Sequence, residues 1–202
     1  MPQYFDNNDN IKSNKREIFL SLNGQNYSFI SDNGVFSKSE IDDGSVALLK
    51  VLFKEKIEGR ILDIGCGYGT IGLILAKNYP LSNFVLSDVN MRACALAREN
   101  CKKWNLKNVC IYESNIFEKV DGLFSVIVTN PPIRAGKKVI YSIFEQSYHH
   151  LKQNGALYIV IRKNQGAESA QKFISSIFNN CELLKRDKGF YIYRAIKCEN
   201  EN

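Results

Sequence analysis

Histidine and metal-binding spacing are what this sequence most lacks. The chain has 202 residues and two histidines, the adjacent pair His149 and His150. Its six cysteines are Cys66, Cys94, Cys101, Cys110, Cys181 and Cys198, and no two of them form Cys-x-x-Cys. A zinc site is therefore not expected. Several of these cysteines lie inside apolar runs, where a free thiol behaves as a small hydrophobe. That usage suits a reducing, cytoplasmic compartment. No apolar run approaches bilayer length, so no membrane span is expected. Met1 to Arg16 is rich in Asn, Asp and Lys and has no apolar stretch, so no signal peptide is expected there. Internal repeats and low-complexity tracts are also missing.

What is present is an ordinary globular composition. Apolar residues make up 45% and charged residues 24%, enough to build one core without staples. One domain with a small appendage is the expectation. The formal net charge of +6 is compatible with a nucleic-acid partner and equally with a solvated lysine surface.

Residues 1–16 read as a flexible polar lead. Two alternating runs follow, Ile18-Phe19-Leu20-Ser21-Leu22 and Tyr27-Ser28-Phe29-Ile30, across Asn23-Gly24, a strong hairpin signal. A helix is expected from about Ser45 to Lys54, with Ser45 as its N-cap. From Arg60 onward strands and helices alternate. Strands are expected at 60–64, 83–88, 108–112, 124–129 and 155–162, and helices at 70–78, 91–103, 137–151 and 166–179. Two more strands, 182–186 and 190–196, flank Asp187-Lys188-Gly189. The pattern implies an α/β fold with a mostly parallel, Rossmann-like sheet of seven strands, helices on both faces and an antiparallel C-terminal hairpin. A small N-terminal β-hairpin precedes it. The expected division is a lead over 1–16, a hairpin and lid-helix extension over 17–54, and the core over 55–198.

The chemistry is carried by Ile61-Leu62-Asp63-Ile64-Gly65-Cys66-Gly67-Tyr68-Gly69-Thr70-Ile71-Gly72. An apolar strand ends in an acid and a glycine-studded turn opens a helix, whose unpaired N–H groups cradle a nucleotide-like ligand. Gly67 to Gly72 matches the dinucleotide pattern G-x-G-x-x-G, with Asp88 where a ribose-binding acid is expected. Alone, this leaves a nicotinamide oxidoreductase open. Two features point elsewhere. Asp63 lies two residues before the first glycine, and the fourth strand of the alternating region runs directly into Asn130-Pro131-Pro132-Ile133.

Asp-x-Gly-x-Gly-x-Gly followed by an acid after the next strand resembles the cofactor site of class I S-adenosylmethionine (SAM) methyltransferases. Asn-Pro-Pro is similar to the motif of those that methylate planar nitrogens: exocyclic amines of adenine and guanine, or a glutamine amide. Gly34-Val35-Phe36-Ser37, Ile41-Asp42-Asp43-Gly44-Ser45 and Asn130 to Lys137 together resemble the RsmC-type branch, the small-subunit ribosomal RNA guanine-N2 methyltransferases. Larger members of that branch carry two methyltransferase-like domains in tandem, and this chain carries one. The resemblance implies SAM as cofactor, held by Asp63, Gly65, Cys66, Gly67, Gly69, Asp88, Val89, Asn115 and Ile116, with Asn130 beside it. Asp88 would accept the ribose hydroxyls, and Val89 and Asn90 would flank the adenine. Asn115 and Ile116 would meet the adenine edge, although Asn115 equally suits the cap of a short helix at 116–119.

Asn130, Pro131 and Pro132 are the expected catalytic residues. An exocyclic amine is planar and weakly nucleophilic. The Asn130 side-chain carbonyl and the Pro131 backbone carbonyl would accept its hydrogens and favour pyramidalisation. Two prolines in a row make a stiff turn, and preorganised acceptors stabilise charge as it develops. Phe36, Ser37, Ile133, Arg134 and Lys137 are the expected substrate contacts. Ile133 replaces the commoner aromatic and offers no π-face. Arg134, Lys137 and Lys138 suit RNA phosphates or a guanine edge, and equally a solvated helix start. Neither metal nor covalent nucleophile is needed for transfer from a sulfonium. The expected partner is ribosomal RNA or the small ribosomal subunit. Rival readings are an adenine or glutamine N-methyltransferase, a nicotinamide oxidoreductase and a non-catalytic RNA-binding module.

Overall fold

The computed structural model describes residues 11–198. Most of the expected lead lies outside the described residues. The remainder is held to the body: Ser13 Oγ and Asn14 N–H donate to the two oxygens of Asp32 at 2.7 and 2.5 Å.

Strands β1 (Arg16–Leu22) and β2 (Gln25–Ser31) form the expected antiparallel hairpin. Asn23 and Gly24 both have positive φ, 51° and 74°, as a tight two-residue turn between twisted strands requires. Helix α1 (Asp43–Leu52) begins earlier than expected, because Asp42 and not Ser45 is its cap: the Asp42 carboxylate accepts the Ser45 N–H at 2.9 Å.

The core follows as β3 (Arg60–Ile64), α2 (Thr70–Asn78), β4 (Asn83–Asp88), α3 (Met91–Lys103), β5 (Val109–Glu113), β6 (Phe124–Thr129), α4 (Lys137–His150), β7 (Leu151–Arg162), α5 (Ala167–Phe178), β8 (Glu182–Asp187) and β9 (Phe190–Ile196). The seven-stranded sheet has the order β5-β4-β3-β6-β7-β9-β8. Its first five strands are parallel, and β9 and β8 close it antiparallel. The chain starts in the middle at β3, builds outward to β5 and returns to lay β6 on the other side of β3. Ligands bind at such a reversal, at the carboxyl ends of the strands.

Strand β7 starts four residues before its expected position. The polar run Lys152-Gln153-Asn154-Gly155 reads as a turn in sequence. Here it is a register shift inside the strand, with Leu151 paired to Phe124 before it and Ala156 paired to Val126 after it. Residues 116–119 form turns and not the short helix considered from sequence. Helix α5 is bounded by Gly166 and Asn179, both left-handed.

One apolar cluster packs α1, α2, α3 and the hairpin on one sheet face, and a second packs α4 and α5 on the other. The hairpin is fastened to α3. Phe29 is fully buried, its ring centroid 4.6 Å from that of Trp104. Asn100, also fully buried, accepts from Ile30 N–H at 2.7 Å and donates to the carbonyls of Ile30 and Tyr68 at 3.0 and 3.1 Å. One side chain thus completes a strand edge and ties it to the glycine loop. Asn100→Ala removes the side-chain partner of three backbone groups. It is expected to cost about 3 kcal/mol in urea denaturation. An unchanged midpoint would remove Asn100 as the fastening.

Candidate active site

β3 carries buried Ile61 and Leu62 into Asp63, which is 1% exposed. Asp63 Oδ2 accepts the Gly72 N–H at 2.8 Å, while Oδ1 is buried with no partner among the described residues. A Cβ on Gly72 would come within 2.7 Å of Leu86, so glycine lets α2 approach this close. Burial pushes the Asp63 carboxyl up from its usual range to about 7, the Gly72 N–H opposing and the Asp88 charge adding to the rise.

The turn after Asp63 places Gly65, Gly67 and Gly69 at φ of 74°, 57° and 97°. Gly65 and Cys66 N–H both donate to the Ser87 carbonyl, at 2.8 and 3.0 Å. Gly67 N–H donates to Asp88 Oδ2 at 2.8 Å, and Asn90 N–H to Oδ1 at 2.9 Å. Asp88 therefore orders the glycine loop with one oxygen and its own turn with the other. A carboxylate has about four acceptor sites, so both oxygens retain capacity for a ligand. Burial also raises the Asp88 carboxyl, against the backbone donors of Asn90, Gly67 and Val89. The Cys66 thiol is pushed well up by burial and by the Asp88 and Asp63 charges, which keeps it protonated and without nucleophilic character.

On the other side of β3, Thr129 Oγ1 donates to the Ile64 carbonyl at 2.8 Å and joins the ends of β6 and β3. Asn130-Pro131-Pro132 turns there into a short 3₁₀ segment, Ile133–Ala135, with Ala135 N–H on the Pro132 carbonyl at 2.9 Å. Pro132 Cδ is 3.9 Å from the position a Cβ on Gly65 would take, so the two loops adjoin. Asn130 Nδ2 donates to Asp42 Oδ2 at 2.8 Å and to Ser45 Oγ at 3.1 Å.

A cleft of about 1170 Å³ opens over both loops. Asp63, Gly65, Cys66, Gly67, Asp88, Val89, Asn115, Ile116, Asn130, Pro131, Pro132, Ile133, Arg134, Phe36 and Ser37 all line it. Three expected site residues, Gly69, Asn90 and Lys137, do not. Gly69 is the N-cap of α2, where a Cβ would meet Leu73 at 2.6 Å; it serves helix packing. The Lys137 ammonium lies 4.9 Å from the Tyr141 ring centroid, on the α4 surface. Asn90, expected beside the adenine, is buried: it caps α3 and donates to the Gly34 carbonyl at 3.0 Å. Asn115 lines the cleft while donating to Glu118 at 2.7 Å. Ile116 stands at φ 51°, a strained conformation for a β-branched residue.

Sequence reasoning missed Tyr68, Thr70, Arg162, Gln165 and Phe190, which also line the cleft. Tyr68 lies inside the glycine motif, where the spacing of the glycines gives it no role of its own. It is buried, and its hydroxyl donates to the Ser37 carbonyl at 3.3 Å, closing residues 33–42 over the cleft. Arg162 ends β7, a position where α/β sheets place ligand contacts.

The methyltransferase small domain model matches residues 26–194, and the chain belongs to that family. The uncharacterized protein YbxB of Bacillus subtilis is 45% identical over 196 residues, covering 96% of this chain and 98% of that protein. Ribosomal RNA small subunit methyltransferase C of Haemophilus influenzae is 31% identical over 173 residues, covering 84% of this chain and 51% of that protein. The chain thus spans about half the length of the ribosomal RNA methyltransferases it matches. Among solved structures, the 16S rRNA N2 G1207 methyltransferase (RsmC) of Thermus thermophilus, in complex with AdoMet and guanosine, superposes with a TM-score of 0.82 at 24% identity. That match covers 91% of this chain and 50% of that one. A methyltransferase from Pyrococcus furiosus superposes at 0.67 with 18% identity, covering 77% and 83%. Both likenesses are to the Rossmann-like methyltransferase fold.

The buried Asp63 gives a pH prediction. Its carboxyl holds a proton up to about 7 in the folded protein and releases it in the ordinary carboxylate range, 3.8, when unfolded. Between those values the unfolded chain binds fewer protons, so stability falls as pH rises and levels off above 7. The loss across the window is on the order of 4 kcal/mol. Asp63→Asn keeps an acceptor for the Gly72 N–H and removes the titration. Urea denaturation of the two proteins from pH 4 to 8 is expected to show the native protein losing stability relative to Asp63→Asn. Parallel curves would contradict the raised value.

Proposed function

We propose that this member of the methyltransferase small domain family methylates the exocyclic N2 amine of a guanine in 16S ribosomal RNA, with S-adenosylmethionine as donor. The observation that carries the reading is Asn130-Pro131-Pro132 seated beside the glycine loop, with the amide nitrogen of Asn130 already engaged.

The donor set fits SAM. The unpartnered buried Oδ1 of Asp63 suits an ammonium group, and the remaining lone pairs of Asp88 suit a ribose diol. Gly65 and Gly67 leave the loop backbone bare for close approach. Val89, Asn115 and Ile116 line the part of the cleft beyond Asp88, where a purine would lie. Bound there, SAM supplies a methyl group on a sulfonium. The protein's own part is position and electrostatics. Asn130 Oδ1 accepts one hydrogen of the amine, and the Pro131 carbonyl accepts the other. Lone-pair density then gathers on the nitrogen. Ile133, Arg134, Phe36 and Ser37 line the route to the amine. A nicotinamide reading would leave Asn130-Pro131-Pro132 without a role. The RNA methyltransferase relatives and the basic residues Arg134, Lys137 and Lys138 favour an RNA partner, in the cytoplasm, over a small molecule. Among the described residues no helix is long and apolar enough to cross a membrane, and no group of His, Cys, Asp and Glu has metal-binding spacing.

Labelled SAM incubated with 30S subunits, 50S subunits, tRNA and total protein is expected to mark 16S RNA. Digestion is expected to release N2-methylguanosine. Label in protein or in N6-methyladenosine would overturn the substrate, and calorimetric binding of NAD without SAM would overturn the class. Asn130→Ala is expected to lower kcat by about a hundredfold while leaving the Kd for SAM within about twofold.

Replacing Arg134 and Lys137 together by Ala should weaken RNA binding and lower the slope of log K against log salt by about 1 to 2. An unchanged slope in filter binding returns both residues to the plain surface.

A further inference from the structure

We propose that Asp42 and Ser45 are positioning residues that make Asn130 an acceptor-only group toward the cleft, so that this site selects a nitrogen bearing N–H donors. The inference rests on the amine reading above and adds the device that enforces it.

An asparagine amide has two donors on one arm and an acceptor on the other, and half a turn about its last bond exchanges them with almost no change of shape. Left alone, Asn130 would offer the cleft either face. Its partners remove the choice. Asp42 Oδ2, 2.8 Å from Nδ2, is a carboxylate oxygen and only accepts, so the nitrogen must face it. Ser45 Oγ spends its own hydrogen on Asp42 Oδ2 at 3.4 Å and meets Nδ2 at 3.1 Å with a lone pair. Both amide hydrogens are thereby committed. No donor among the described residues meets Asn130 Oδ1, and the residue lines the cleft.

The carboxylate is itself fixed. It caps α1 through the Ser45 N–H at 2.9 Å. The start of α1 sits on the ring of Phe190, so close that a Cβ on Gly44 would fall 2.8 Å from it. The Asp42 carboxylate also polarises the amide and strengthens Oδ1 as an acceptor. An acceptor-only wall rewards an amine, which arrives with hydrogens, over a ring nitrogen or carbonyl, which would face it lone pair to lone pair.

Asp42→Asn separates positioning from folding. Asparagine is as good an N-cap as aspartate, so the thermal midpoint and the Kd for SAM should hold. The new amide can turn its own NH2 toward residue 130, which frees Asn130 to rotate. Turnover is expected to fall about tenfold or more. Asn130→Asp sets two carboxylates side by side and should fall further. The exchange pair, Asp42→Asn with Asn130→Asp, restores a donor at 42 and an acceptor toward the cleft, so its turnover should recover above that of Asn130→Asp alone. Wild-type turnover in Asp42→Asn, or no recovery in the exchange pair, overturns the proposal. A readout without substrate separates it from the functional reading. In the cofactor-free protein the Asn130 side-chain NH2 resonances should exchange slowly with water in the native chain and faster in Asp42→Asn. Equal exchange overturns the positioning. Slow exchange together with no transfer by the native protein to any amine-bearing substrate leaves the fixed amide standing and overturns the amine selection.

Discussion

A carboxylate with an empty side holds the centre of this molecule. Asp63 lies one residue before the end of β3, an interior strand of the sheet, buried, with one oxygen on Gly72 and the other without a partner among the described residues. Burying such a group is costly unless it is paired or protonated, and native cores keep few orphaned polar atoms. The neighbours are shaped around it. Gly72 admits α2 to hydrogen-bond distance, and Leu86 fills the space that leaves. A cation entering the cleft would meet the free oxygen and relieve the penalty, so ligand binding and stability are linked through one side chain.

The two faces of the site depend on a strap that the parallel sheet does not supply. Residues 33–42 leave the hairpin and cross the cleft before α1. At one end Arg92 donates to the Asn33 carbonyl at 2.8 Å and Asn90 to that of Gly34 at 3.0 Å, next to the Asp88 turn. In the middle Tyr68 reaches the Ser37 carbonyl from the glycine loop. At the far end Asp42 and Ser45 hold Asn130. The strap is anchored to the β4 side, the β3 loop and the β6 loop in turn. The strap thus links the glycine loop to the Asn130 amide through a few hydrogen bonds.

The parts of this arrangement visible in the chain are those written in local pattern. Strands β3, β4 and β6 and helices α2 and α3 stand where apolar runs and glycine or asparagine boundaries put them, and the class of fold follows from their alternation. Asp63, Gly65, Gly67, Asp88 and Asn130 come together around one cleft, as their places near strand ends in the sequence lead one to expect. Local pattern fails where two residues offer the same chemistry. Asp42 and Ser45 are both good caps, and the choice between them is made by tertiary structure. The start of β7 was hidden because Lys152 to Gly155 has turn composition, although buried Leu151 pairs ahead of it. Gly69 belongs to the motif yet serves packing against Leu73, a distinction spacing cannot draw. The bond from Asn130 to Asp42 joins residues 88 apart and has no signature in either segment.

Why the acceptor is an amide follows from its neighbours. A carboxylate at position 130 would accept hydrogen bonds more strongly than an amide. It would also stand 2.8 Å from the Asp42 oxygen that now receives the amide, with Asp63 and Asp88 close by around the same cleft. Like charges at that distance are not ionised together, and one would take a proton and become a donor. The RNA substrate proposed above would add a further reason to avoid negative charge at the point of contact. The amide resolves the conflict by placing its nitrogen on the charge and its oxygen toward the cleft. In the reaction proposed above it would deliver part of the carboxylate's polarity without its charge. The carboxylate fixed at the start of α1 holds the amide nitrogen of Asn130, so the proposed acceptor depends on the strap as much as on the sheet.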